Sequence, residues 1–413
     1  VRLSDDLIQA AEPVEKKVEA PLPQGHGGIL KQLPQALRRV SQLGFAAFIA
    51  LVAIQFEQAG EGSGIVLPEP EAFCPFGGLE TIYLFITSGG NTLRLTSLSN
   101  VALIIAVLLS AVLARNAFCG WICPLGFLQD LVRTGSGCIP GLRRAIRRFG
   151  RAIGWLAGLD SALRYLKYFV LIWTVGGASL YGYMVFRDYD PWAALLDIGR
   201  PAVGFGFIVL LITLVASIFI ARPWCRYACP LGAIAGLFGR ISPVFIKRDA
   251  HTCTLCGLCQ QACPMGLPVS TASEIRHTDC NACLECLEVC PSEGALSLAV
   301  GTPVSGQRGK LINSLAFGIA ALAIFMGSIQ VAQFTGFWSV SRKIPTGITV
   351  DEIRGSMMLK DISAAYKVPV EEILDAFGLP RDTPPTTQVK DLRSGTFSPG
   401  ALREWLRNRV SRR

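Results

Sequence analysis

The stretch Cys253-Thr-Leu-Cys256-Gly-Leu-Cys259-Gln-Gln-Ala-Cys263-Pro264 decides how this chain is read, because it returns as Cys280-Asn-Ala-Cys283-Leu-Glu-Cys286-Leu-Glu-Val-Cys290-Pro291. Three thiolates at this spacing wrap one face of an iron–sulfur cubane. The fourth ligand comes from farther along the chain, and where two such runs stand together it serves the other cluster. The spacing therefore assigns Cys253, Cys256, Cys259 and Cys290 to one [4Fe–4S] cluster, and Cys280, Cys283, Cys286 and Cys263 to a second. The prolines after Cys263 and Cys290 hold those ligands out of helix. Structural zinc is the competing use of four cysteines per site. Eight cysteines in this order speak against it.

The pattern is that of bacterial two-cluster ferredoxins and sets an α+β domain over residues 251–300. The surrounding sequence differs in kind. Of 413 residues, 51% are hydrophobic and only 17% charged, with a mean hydropathy of +0.43. That balance excludes a disordered chain and most soluble enzymes. Five uncharged runs, 40–56, 95–114, 168–186, 202–221 and 311–337, have the length for a bilayer crossing, which takes about 20 residues of helix. The apolar segment 79–88 is shorter and reads as interfacial or re-entrant. The expected architecture is mainly α: a polytopic membrane helix bundle of about five crossings with the ferredoxin domain inserted. A polar segment, 1–39, precedes it. Residues 40–250 hold four crossings, 311–337 the fifth, and 338–413 a small helical C-terminal module.

Basic residues outnumber acidic ones, 39 to 30, for a net charge of +9. They gather between the apolar runs. The loop 115–167 holds nine basic and two acidic residues and 222–310 holds eight and six, against one basic residue in 57–94 and two in 187–200. The positive-inside rule then puts the second and fourth loops, the ferredoxin domain and the N-terminus on the cytoplasmic side of the inner membrane. Five crossings leave the C-terminus outside. On a cytoplasmic face thiols stay reduced, which disfavours disulfides. Arg143, Arg144, Arg147, Arg148 and Arg151 read as a headgroup-attracting run, so membrane lipids are partners. No nucleic-acid partner is expected, since the charges do not cluster on one soluble face. Residues 359–377 form a helix-turn-helix pattern, with Pro369 opening the second helix and Gly378 ending it. Outside the membrane such a module cannot reach DNA. Only three histidines occur; none lies in an apolar run, which excludes a bis-His haem in the bilayer.

The chain also repeats itself. The run 95–114 leads into Cys119-Gly-Trp-Ile-Cys123-Pro-Leu-Gly126, and 202–221 leads into Cys225-Arg-Tyr-Ala-Cys229-Pro-Leu-Gly232. The outer loops match as well, Cys74-Pro75-Phe76 against Asp190-Pro191-Trp192. Two units in one orientation imply a pseudo-twofold axis along the membrane normal. Two thiols four residues apart share one helix face, and the axis would gather Cys119, Cys123, Cys225 and Cys229 into one metal site. Four thiolates suit a third iron–sulfur cluster or a soft ion such as Cu(I); plain burial of small thiols is the alternative. Cys138 has no counterpart and reads as structural. Asp190, on the outer face, is the one candidate catalytic group, a proton acceptor for a quinol, although an aspartate before proline also starts turns without further purpose.

With these motifs in view, the chain resembles the membrane-bound polyferredoxins of the NapH/NosR type over residues 40–298. The stretch Cys74-Pro-Phe-Gly-Gly-Leu-Glu80 is similar to a segment common in that family. The resemblance implies several membrane helices, cytoplasmic iron–sulfur clusters, and electron flow from the quinone pool toward a redox partner protein within a respiratory complex. The chain would be either a quinol dehydrogenase subunit or an electron carrier. A copper-handling accessory protein and a membrane redox sensor are the two readings from other classes.

Overall fold

The computed structural model describes residues 29–58, 73–78, 98–142, 157–181, 189–196, 204–301, 310–336, 357–385 and 399–410, with single positions between them. Helices dominate. In chain order they are α1 (Ile29–Gln58), α2 (Leu98–Ala114), α3 (Pro124–Cys138), α4 (Ala157–Leu163), α5 (Leu166–Tyr181), α6 (Pro191–Leu196), α7 (Phe205–Phe219), α8 (Pro223–Tyr227) and α9 (Pro230–Gly239). A short π-type turn, Phe118–Ile122, stands between α2 and α3. The inserted domain follows as β1 (Val244–Arg248), α10 (Leu258–Ala262), β2 (Glu274–Ile275), α11 (Glu285–Glu288), β3 (Leu296–Val300) and β4 (Lys310–Leu311). Then come α12 (Ser314–Phe334) and the C-terminal helices α13 (Leu359–Tyr366), α14 (Val370–Ala376) and α15 (Pro399–Val410).

Each of the five apolar runs falls on a helix. Two are long and apolar enough to cross a membrane: the 24-residue part Gln32–Gln55 of α1, and α12 with 21 residues. The others have 17, 16 and 15 described residues in α2, α5 and α7, and the residues just before α2 and just after α5 lie outside those described. The interfacial segment expected at 79–88 lies almost wholly outside the described residues. Large apolar side chains stand exposed along α5 and α7, Phe169 at 73% and Phe205 at 66%. Such faces suit lipid better than water.

The two repeat units pack reciprocally. Helix α2 of the first lies on α9 of the second, and α7 of the second lies on α3 of the first. Each helix before a cysteine motif thus rests on the helix after the other motif, as a twofold relation requires. Helix α12 runs along α1 and α2. Gly318 of α12 leaves room for Trp121: a Cβ there would stand 2.4 Å from the indole. In the loop before α2 of the first unit a Cβ on Gly78 would stand 2.3 Å from the Asn100 carbonyl oxygen, so the Gly-Gly pair lets the turn press on the start of α2. In the second unit the Asp190 carboxylate accepts from the Trp192 N–H at 3.0 Å and opens α6.

The sheet is antiparallel in the order β2-β1-β3-β4, with Phe245 opposite Ala299 and Ile246 opposite both Leu298 and Ile275. It frames the cysteine-bearing stretch from both ends. One apolar core joins bundle and insert: Val107, Trp121 and Phe325 belong to the same cluster as Ile246, Leu267 and Leu298. The C-terminal module has a separate core around Ile353, Leu359, Ile362, Ile373, Leu402 and Leu406. Its turn is the one expected. Lys367 ends α13 in the left-handed region, Pro369 precedes α14, and Gly378 follows it at φ +62°.

Candidate iron–sulfur and thiolate centres

Both cysteine loops of the insert share one backbone device. The residues just before and after the middle cysteine of each loop are left-handed: Leu255 and Gly257 around Cys256, Ala282 and Leu284 around Cys283. Left-handed backbone costs a residue with a Cβ roughly 1–2 kcal/mol, so three such residues at matching places mark a shape imposed by the loop's task. The first loop curls round a small pocket lined by Cys253, Cys256 and Cys259, and Cys290 of the second run closes it. Burial, followed by Cys290, Cys256 and Cys253, pushes the Cys259 thiol up to about 11. Burial also pushes the Cys286 thiol up, joined by Cys283, Cys280 and Cys263 and then by Cys259. Around the pocket three thiols of the first run thus meet one of the second, and the Cys286 thiol feels two neighbours of its own run and Cys263 of the other.

The helix-end motifs bring their thiols together differently from the sequence expectation. Neither pair lies on one continuous helix. The Cys123 N–H reaches back to the Phe118 carbonyl at 2.9 Å, and the Cys229 N–H to the Trp224 carbonyl at 2.9 Å, the same five-residue closure in both units. Each second cysteine then caps a new helix whose first residue is proline. Proline has no N–H to give to the preceding turn, which is why the helix breaks there. Gly126 lets the new helix sit close on the motif, since a Cβ would stand 3.3 Å from the Cys119 carbonyl, while at Gly232 the matching distance to the Cys225 carbonyl is an ordinary contact of 3.5 Å. The four thiols feel one another. Burial pushes Cys119 up, with Cys123 and Cys225 adding to it. It pushes Cys123 up to about 12, with Cys225 contributing, and raises Cys229 together with Cys225, Cys119 and Cys123. Cys138, expected to be structural, is exposed instead, because it is the last residue of α3; its thiol donates to the Thr134 carbonyl at 3.5 Å.

Among the described residues no three His, Cys, Asp or Glu side chains close on one metal ion. Thiolates on one tetrahedral ion with 2.3 Å bonds stand only ~3.8 Å apart. A cubane spreads its four ligands over four irons and so accepts wider spacing.

The helix-end quartet lies against the second insert loop. A Cβ on Gly120 would stand 2.2 Å from the Asn281 carbonyl oxygen. Trp121 Nε1–H donates to the Ala282 carbonyl at 2.9 Å, and Gln35 Nε2–H to that of Cys283 at 2.7 Å. Buried charges tie the seam. Arg222 forks onto Asp130 at 2.8 and 2.5 Å and donates to the Cys119 carbonyl at 2.8 Å. Arg38 joins Asp130 at 2.9 Å and Glu285 at 2.5 Å. Lys167 and Arg164 hold Asp279 from the other side. Burial would raise the Asp130 carboxyl, but Arg222 and Arg38 outweigh it and hold it below the usual carboxylate range. Asp279 is held low in the same way, chiefly by Lys167 against its burial.

By sequence Arg164, Lys167 and Arg222 count only as loop charges, and Arg38 as a cation flanking the first apolar run. The structure buries Arg38, Arg115, Lys167 and Arg222. One signal was present: Asp130 is the single acid between residues 115 and 159, in a loop crowded with arginine. Arg144 is exposed, and Arg143, Arg147, Arg148 and Arg151 lie outside the residues whose side chains are described. Asp190 is buried at the start of α6, and its N-capping bond is sufficient reason for an aspartate there.

Comparison with known proteins adds the family. A profile described as a 4Fe-4S binding domain matches residues 96–148 and again 202–249, one copy on each repeat unit, and a 4Fe-4S dicluster domain matches 245–291. The putative electron transport protein YccM of Escherichia coli strain K12 is 28% identical over 318 residues, covering 73% of this chain and 85% of YccM. The ferredoxin-type protein NapH of Haemophilus influenzae is 31% identical over 207 residues, 47% of this chain and 66% of NapH. The chain belongs to the NapH/NosR-type membrane-bound polyferredoxins. The regulatory protein NosR of Stutzerimonas stutzeri is 27% identical over 176 residues, 42% of this polyferredoxin and 23% of NosR. No solved structure matches it.

Proposed function

We propose that this polyferredoxin is an inner-membrane electron-transfer protein that exchanges electrons between the quinone pool and a redox partner, as a subunit of a respiratory complex. Cys253, Cys256, Cys259 and Cys290 would hold one [4Fe–4S] cluster. Cys263, Cys280, Cys283 and Cys286 would hold the second. Cys119, Cys123, Cys225 and Cys229 would hold a third thiolate centre at the helix ends. Such clusters supply one-electron chemistry. The chain's own part is to hold the thiolates, exclude water and fix the spacing between centres. Gly120 and Trp121 do the last by locking the helix-end motif onto the loop that carries Cys280 and Cys283. The observation that carries the reading is this contact between a thiol quartet at the membrane helices and a quartet in the ferredoxin domain. Asp190 stands as the outer-face candidate for accepting a quinol proton. The cytoplasmic side for the ferredoxin domain and the outer side for the C-terminus follow from the basic loops.

The test uses the full chain, prepared without oxygen and mixed with a menaquinol analogue, with reduction followed by optical bleaching and EPR. Reduction is expected in the wild type and not in the Cys119→Ser, Cys225→Ser double variant. Reduction of that variant at the wild-type rate would remove the helix-end quartet from the route. Copper bound to the quartet with about eight irons elsewhere would favour the metal-handling reading over about twelve irons.

A further inference from the structure

Four cations are buried among the described residues: Arg38, Arg115, Lys167 and Arg222. Three of them meet carboxylates, Arg38 and Arg222 at Asp130 and Lys167 at Asp279. Arg115 meets none among the described residues. It follows α2 at φ +50° and reaches into the insert. One terminal nitrogen donates to the Val244 carbonyl at 2.8 Å and the other to the His277 carbonyl at 3.0 Å, while Nε lies buried without a partner. The His277 carbonyl also accepts the Cys280 N–H at 3.1 Å. Two donors on one oxygen set the guanidinium beside the first thiol of the second run, close enough for the two groups to act on each other electrostatically. The other charge near it is Arg276, stacked on Phe245 at 3.6 Å, which adds positive potential. Asp279, one residue before Cys280, is already taken by Lys167 and Arg164. A guanidinium taken out of water without an anion is strongly disfavoured. The anion on offer is the Cys280 sulfur, which is a thiolate when it ligates iron.

We propose that Arg115 is the built-in counter-charge of the second cluster, a positioning residue that raises its reduction potential through Cys280. This rests on the iron–sulfur reading above. Reduction adds one electron and no proton to a centre already negative. A fixed cation in a water-poor interior, held beside a ligand sulfur, favours that added charge.

The experiment is an anoxic redox titration of the full-length chain, poised with dithionite and read by EPR, with iron quantified in each sample. In Arg115→Gln one midpoint is expected to fall while the others hold, by about tenfold or more in the reduction equilibrium, which is ~59 mV per decade for one electron. Arg115→Lys, which keeps the charge, should recover most of that shift. Loss of about four irons from Arg115→Gln but not from Arg115→Lys would also support the counter-charge. An unshifted set of midpoints in fully loaded Arg115→Gln would overturn it. So would equal shifts or equal iron loss in the two variants, because the role would then be one of shape. A wild type without iron would instead sink the cluster reading itself.

Discussion

Gly120 stands where no side chain fits, facing the Asn281 carbonyl across the seam between bundle and insert. Gly120→Ala should push the second loop away and cost about 1–3 kcal/mol as overpacking. A lower Tm with iron lost from the second cluster before the first would show it. Asp279 has the opposite character, a carboxylate wanted by two cations. Asp279→Asn leaves Lys167 buried without its anion, a loss of about 3–5 kcal/mol measurable by chemical denaturation. The pH dependence has a definite sign. Asp130 and Asp279 have folded pKa values below the unfolded ones. Their contribution is therefore complete above the unfolded value, about 3.9, and is lost as pH falls through the folded values. Wild-type stability should drop in that acid range, and Asp279→Asn should flatten part of the drop. A variant as acid-sensitive as the wild type would contradict the pairing. None of this was readable from charge counts, which treat every basic loop residue alike. Burial of Arg222 or Lys167 depends on which carboxylate folds against it.

At the scale of elements, spacing carried far. The two Cys-x-x-Cys-x-x-Cys runs foretold which thiols gather around one cavity, because a loop with one residue pair between ligands has few ways to close. The repeat of Cys119–Cys123 and Cys225–Cys229 suggested that four thiols from two units would meet, and in the fold Cys119, Cys123 and Cys229 each feel a thiol of the other pair. The geometry within each pair was not foretold. A spacing of four suggests one α-face, yet proline after the second cysteine starts a new helix and turns the pair into a five-residue closure. The seat of Trp121 was hidden too, since it depends on Gly318, nearly 200 residues away in sequence. Gly318→Leu should unseat the indole and break its bond to the Ala282 carbonyl. The expected cost is about 1–3 kcal/mol, with a change in tryptophan fluorescence and weaker iron retention at the second cluster. Unchanged fluorescence and iron would argue against the packing.

For the whole molecule, apolar runs located the helices, but their described lengths leave two with a full crossing. Helix ends are decided by caps and neighbours that hydropathy does not record. Orientation has a convenient reporter in Cys138, exposed beyond the helix-end quartet. A membrane-impermeant maleimide should label it in inside-out vesicles and not in intact spheroplasts. The reverse result would invert the topology and move the ferredoxin domain outside. Most direct of all is the metal content of the full chain purified without oxygen, with EPR on the reduced protein. The account predicts about twelve irons per chain in three centres, with about four lost in the Cys119→Ser, Cys225→Ser variant. Zinc in place of iron and no EPR signal on reduction would contradict it.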